Sequence, residues 1–255
     1  MIFPKAVLCQ LGEGGGDEEA QLRSVGFATG SIGWKEIDMQ RNGWIQLLPV
    51  LEDPAVLAWV IAGEPDDFTP AIRSQIALLT LAMRREKPLL VALRLQSEGA
   101  FVDVPPALAQ VLLFKPADAF AAKLMALRVR PRPAPELPFV CLPHLDPLLG
   151  LWLEVSPPLG ARQEDFMIGV FGGEISAFGV GPSGVVPEKS SLHYPQLGIR
   201  GDIGGREFFA CAAKNALGEG VSCYLRLEGF PEGVFLTRYE AMEAQEGILY
   251  ALELV

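Results

Sequence analysis

Apolar residues in the first half of the chain come in short, near-continuous runs separated by stretches of helical period. Residues 6–11 form such a run, closed by Gly12-Glu13-Gly14-Gly15-Gly16, which predicts a buried strand ending in a glycine turn. Asp17-Glu18-Glu19 favours a helix start, because carboxylates stabilise the positive end of a helix dipole. Residues 34–39 alternate as a half-buried strand does, 43–51 read as a short helix, and 56–62 as a second buried strand. Thr69-Pro70 supplies an N-cap with proline at the first helical position, and Ile72, Ile76, Leu79 and Met83 then fall on one helical face. That helix should stop near Lys87-Pro88. Residues 89–95 and 111–114 predict two more strands, and 117–127 a last amphipathic helix. Strands that alternate with helices and lack strict polar alternation are buried on both faces. The expected fold is α/β, a parallel sheet with helices on both faces.

Beyond residue 138 the helical period fades. Residues 150–155, 165–171, 174–180, 208–213, 221–227, 234–239 and 248–254 read as strands, with 206–217 fitting a helix equally well. Gly172-Gly173 predicts a tight hairpin turn between the second and third of these, and 229–233 a longer hairpin between the fifth and sixth. The glycine- and proline-rich stretch 181–206 reads as one long loop. An all-β domain follows, an antiparallel sandwich or partly closed barrel. Between the halves, Arg130-Pro131-Arg132-Pro133-Ala134-Pro135 favours an extended, stiff connector. The expected division is an α/β domain at 1–128, a linker at 129–138 and a β-rich domain at 139–255.

Charge changes this picture mainly by exclusion. Residues 1–128 carry 12 basic and 15 acidic side chains, and 139–255 carry 7 and 15, so most of the net −10 falls in the β half. No basic stripe occurs in either half, and binding to phosphate backbones needs one, so neither nucleic acid nor an anionic membrane is expected as a partner. The apolar runs are too short to span a bilayer, and residues 1–5 lead straight into a core strand, so neither a membrane span nor a secretory signal is expected. Cys9, Cys141, Cys211 and Cys223 lie in apolar surroundings and read as reduced thiols of a cytoplasmic protein.

The order of elements and several local cues resemble the TIR (Toll/interleukin receptor) domain, a flavodoxin-like five-stranded sheet. The cues are Gly43-Trp44 opening the second helix, Glu52-Asp53 before the central strand, and Ala62-Gly63 ending it. The loop and helix over 68–79, the strand over 88–95 and Pro105-Pro106-Ala107-Leu108 extend the likeness across residues 5–128. Catalytic TIR domains act on NAD with a glutamate of the third helix, and the resemblance puts Gln75 at that position. A neutral amide cannot stabilise the developing cation as a carboxylate does. The resemblance therefore implies a non-catalytic domain that self-associates or binds a nucleotide beside Ile72, Gln75 and Leu79, with no cofactor. The β domain is then expected to recognise a protein partner. The alternative is an NAD glycohydrolase using a displaced carboxylate, Glu64, Asp66 or Asp67, from the loop before that helix.

Other motifs point less far. The 12–16 glycines lack both the third spaced glycine of a dinucleotide loop and the lysine of a P-loop, and Asp17–Glu19 would repel phosphate. Cys141-x-x-His144 lacks a second close pair, so no metal is expected. Ser190-Ser191 beside His193-Tyr194 has no nucleophile-elbow spacing and reads as loop chemistry.

Overall fold

The computed structural model describes residues 4–12, 16–34, 43–83, 89–99, 104, 106–108, 111–127, 136–146, 149–239 and 248–255. The chain divides into two compact units. One comprises Met1–Ile72, Met83–Val104 and Leu108–Pro135, the other Arg73–Ala82, Pro105–Ala107 and Glu136–Val255. Most of the expected linker, residues 129–135, lies outside the described residues.

The first unit runs β1 (Lys5–Gln10), α1 (Glu18–Ser24), β2 (Ala28–Gly33), a 3-10 turn (Gly43–Gln46) continuing into α2 (Leu47–Glu52), and β3 (Val56–Gly63). After β3 comes α3 (Pro70–Ala82), whose residues from Arg73 onward group with the second unit. The first unit resumes with β4 (Leu90–Leu95), β5 (Leu112–Phe114) and α4 (Phe120–Leu127). All five strands pair in parallel in the order β2-β1-β3-β4-β5. This is the parallel sheet expected from the strand–helix alternation, in the flavodoxin-like strand order.

Of the strand expected at 34–39, residues 35–39 lie outside the described residues, and β2, Ala28–Gly33, was not expected. Its sequence, ATGSIG, has no apolar run, because an edge strand with half-exposed side chains needs none.

Alternate residues of the central strands (Ala6, Leu8, Ala58, Val60, Ala62, Leu90 and Ala92) pack with Leu22 of α1 and with Phe120 and Leu124 of α4. Strand geometry sends the intervening residues to the opposite face. There Trp59 is wholly buried, its indole N–H donates to Cys9 Sγ at 3.2 Å, and Trp34 stacks on it at 6.4 Å. Removing a tryptophan from water contributes about 4–6 kcal/mol gross.

The second unit holds β6 (Val140–Asp146), β7 (Gly150–Ser156), β8 (Phe166–Phe171), β9 (Glu174–Pro182), β10 (Gln196–Ile203), β11 (Arg206–Ala213), β12 (Val221–Glu228), β13 (Gly233–Arg238) and β14 (Tyr250–Glu253). They form two separate antiparallel sheets, β10-β11-β8-β13-β14 and β6-β7-β12-β9, rather than one closed barrel.

Three expectations are corrected here. The stretch 181–206 is not one loop, since it contains β10, an edge strand of exposed and glycine-interrupted sequence. Gly172-Gly173 is not a hairpin turn. Both glycines have positive φ (+68° and +73°), as a primed turn requires, but β8 and β9 then pair into different sheets. Residues 229–232 make the same kind of passage, from β12 in one sheet to β13 in the other. A two-residue hairpin does occur at Gly204-Gly205, between the paired residues Ile203 and Arg206. β6 was not anticipated. It carries Pro143 and lies at a sheet edge, where a strand tolerates proline.

Candidate functional site

In an open parallel sheet of order 2-1-3-4-5, the connections leave β1 and β3 in opposite directions and open a crevice at their carboxyl ends, where ligands bind in such folds. The side chains gathered at those ends are acids and amides. Gln10 ends β1, Glu18 opens α1, Glu64 and Asp67 follow β3, and Gln96 and Ser97 follow β4. The Gln96 amide donates to Gln10 Oε1 at 3.2 Å and to Glu18 Oε1 at 3.3 Å, and Gln10 Nε2 reaches Glu18 Oε2 at 3.5 Å. Glu18 is thereby buried, 3% exposed, with two amide partners. Nothing in the sequence marked Gln10 or Gln96, and Glu18 stood out only as a helix-start acid. Only the convergence of two strand ends, β1 and β4, with the start of α1 joins them.

Of the acids singled out from the sequence, Glu64 and Asp67 reach this crevice as a reciprocal cap. Glu64 N–H donates to Asp67 Oδ2 at 2.9 Å, and the Glu64 side chain accepts from the Asp67 backbone. The Glu64 carboxylate also accepts from the Ser97 hydroxyl. Gly12, with no Cβ, leaves room for the Asp67 carboxylate, because a Cβ there would lie 2.9 Å from Oδ2. Asp66 is exposed on the 3-10 turn Pro65–Asp67.

The three α3 positions part company. Ile72 is half-buried, while Gln75 and Leu79 are wholly buried. Neither polar atom of the Gln75 amide has a hydrogen-bond partner among the described residues. Its neighbour Ser74, also buried, donates its hydroxyl to the Pro231 carbonyl at 2.7 Å.

A second polar cluster lies in the β unit, on the face of β7 and β12 opposite the one carrying Leu153, Val155, Cys223 and Leu225. Glu154 is 2% exposed and accepts from three sides. His144 Nε2 lies 2.7 Å from Oε2, Ser222 Oγ donates at 2.8 Å, and Gly184 N–H donates at 3.0 Å. Burial pushes its carboxyl upward, but the hydrogen bonds from His144, Ser222 and Gly184 outweigh that and hold it below the usual carboxylate range. Tyr224 packs its ring 5.6 Å from that of His144, donates its hydroxyl to the Pro182 carbonyl and accepts from Val185 N–H at 3.1 Å. Burial first, and then the Glu154 charge, push the Tyr224 phenol above its ordinary value.

This network closes residues 183–190 over the sheet. Gly181 permits it, since a Cβ there would fall 2.8 Å from Pro187 Cβ. The Ser222 hydroxyl faces the carboxylate rather than the imidazole, so the nucleophile–base order of a hydrolytic triad is absent.

The remaining motifs are structural. Ser190 Oγ bonds the backbone of Val180, and the His193 N–H donates to Asn215. All four cysteines are buried and free, and burial pushes the Cys9 and Cys141 thiols up to about 12. Among the described residues no group of three or more His, Cys, Asp or Glu side chains could hold a metal ion, and no helix is long and apolar enough to cross a membrane. No family model, curated protein or solved structure matches the chain.

Proposed function

We propose that the chain is a non-catalytic association protein. Its TIR-like α/β unit self-associates or holds a nucleotide without cleaving it, and its acidic β unit recognises a protein partner. The observation that carries this reading is the engagement of two of the three loop carboxylates. Glu64 and Asp67 cap one another and Glu64 also holds Ser97, so neither is a spare base aimed at a substrate. The crevice side chains named above are acids, amides and one hydroxyl with no cation among them, which favours self-association over the nucleotide alternative. Four buried free thiols suit a reducing, cytoplasmic setting.

Sedimentation velocity over a range of protein concentrations, paired with thermal shifts against NAD and a nucleotide panel, tests the reading. A concentration-dependent oligomer, or a saturable shift without product, supports it. A monomer at every concentration, with no shift from any nucleotide, counts against the role given to the α/β unit.

A further inference from the structure

At one end of the five-stranded sheet of the β unit, four strand ends border an open pocket of about 200 Å³ lined by half-buried Asp165 and Tyr239 and by exposed Tyr194, Gln196 and Lys214, with Ala212 alongside. Asp165 precedes β8, Tyr239 follows β13, Lys214 follows β11 and Gln196 opens β10. The last paired row joins Ala213 to Phe166 and Phe166 to Arg238, so Lys214, Asp165 and Tyr239 stand one row further along the same three strands. Two backbone hydrogen bonds fix that row, from Tyr239 N–H to the Asp165 carbonyl and from Lys214 N–H to the His193 carbonyl, each at 2.8 Å.

Two independent features mark this end. The first is the state of its charges. Neighbouring strands place an acid and a base side by side, yet they do not pair. Lys214 Nζ lies 5.7 Å from the centroid of the Tyr194 ring instead, and the Asp165 carboxylate has no ion pair or side-chain hydrogen bond among the described residues. The second is backbone strain. Among the described residues three non-glycine positions have positive φ, and two of them, Asp165 and Tyr194 at +49° each, line this one cavity. Non-glycine residues with positive φ are uncommon and cluster at ligand sites.

We propose that the cavity binds a small zwitterion of the α-amino-acid class. Asp165 takes the ammonium, Lys214 the carboxylate, and the tyrosine rings border the ligand's side chain. An unpaired acid and base at adjacent positions complement a ligand that carries both charges a few bonds apart. A purely anionic or purely cationic ligand would leave one of them opposed by a like charge. The volume lies below the roughly 300 Å³ at which drug-sized pockets begin, so the ligand is compact. This site lies in the β unit and does not depend on what the α/β unit does.

The test is calorimetric titration of the full chain with individual free L-amino acids. N-acetyl and carboxamide derivatives of the best binder follow, and then the variants Asp165→Asn and Lys214→Met. Asparagine tolerates positive φ, so Asp165→Asn removes charge without removing the turn. At least one amino acid should bind with a Kd of about 1 mM or tighter. Blocking either end of the ligand, or removing either protein charge, should weaken binding at least roughly tenfold, as expected for loss of one charged hydrogen bond. The melting temperature of the unliganded variants should be unchanged. No binding of any free amino acid at concentrations well above that Kd would overturn the assignment, and so would equal affinity for the free and the blocked forms.

Discussion

Replacing Glu154 by alanine removes the common acceptor of three donors in one step. Gly184 N–H loses its partner, Ser222 keeps only its contact with Ser183 Oγ at 2.7 Å, and His144, with 17% of its side chain exposed, regains water only in part. A hydrogen bond to a charged group contributes about 1.5–3 kcal/mol, but three that share one carboxylate do not add in full. An orphaned buried donor costs about 1–3 kcal/mol, and with Gly184 N–H fully orphaned and the other two donors partly so, a loss of about 2–4 kcal/mol is expected for Glu154→Ala. Glu154→Gln keeps one carbonyl oxygen for Ser222 or Gly184, so a loss of about 1–2 kcal/mol is expected.

The pH dependence has a definite sign. The folded-state carboxyl of Glu154 is held below its ordinary range, so its contribution is complete above the unfolded value of about 4.3 and disappears as pH falls through the lower folded value. Urea midpoints for wild type and Glu154→Gln should therefore differ at pH 7 and converge under acid conditions, with equal m-values. Amide exchange at Gly184 and Val185 should speed up in both variants, because the network holds those two N–H groups. A loss below about 1 kcal/mol for Glu154→Ala at pH 7, with unchanged exchange at both amides, would refute the anchoring role given to Glu154.

Further expectations follow from burial and backbone geometry. Gln75→Glu would place an unpaired charge at a wholly buried position and should cost about 3–5 kcal/mol, whereas Gln75→Leu removes two unpartnered polar atoms and should gain about 1 kcal/mol. Urea unfolding of both variants decides this, and a stable Gln75→Glu protein would contradict the burial. Gly173→Val should destabilise the β unit, because φ is +73° and a Cβ would meet the Glu228 carbonyl oxygen at 2.9 Å. Gly205→Asn, at φ +84° with nothing within 4 Å, should leave the midpoint almost unchanged. Asp67→Ala removes the acceptor of the Glu64 N–H and should cost about 1 kcal/mol, read from the thermal midpoint.

Legibility from sequence followed burial. β1, β3 and β4 were readable because both their faces are covered, so apolar residues run on without a break. β2 was missed and β10 taken for a loop, because edge strands can use glycine, serine and charged residues freely. Gly172-Gly173 shows a different limit. The local conformation was legible, but whether two strands joined by such a turn pair with each other is decided by their other neighbours, and here β8 and β9 go to different sheets. Glu154 alternates with Leu153 and Val155, which by pattern makes it a solvent-facing residue. It is buried because residues 183–190 return over it, some thirty residues later in the chain. The acids of 64–67 were found from their place before a helix, yet their mutual capping, like the gathering of Gln10, Glu18 and Gln96, belongs to tertiary structure alone.

The central claim is that the α/β unit does not cleave NAD, and nicotinamide release measures this directly. The purified chain is incubated with NAD for hours at high protein concentration, and the products are separated by chromatography. The account predicts release no faster than in buffer, for wild type and for Glu64→Gln and Asp67→Asn alike, since a missing preorganised charge costs roughly 100- to 1000-fold in rate. Turnover by wild type that is lost on replacing Glu64, Asp66 or Asp67 would contradict it and establish the enzyme instead.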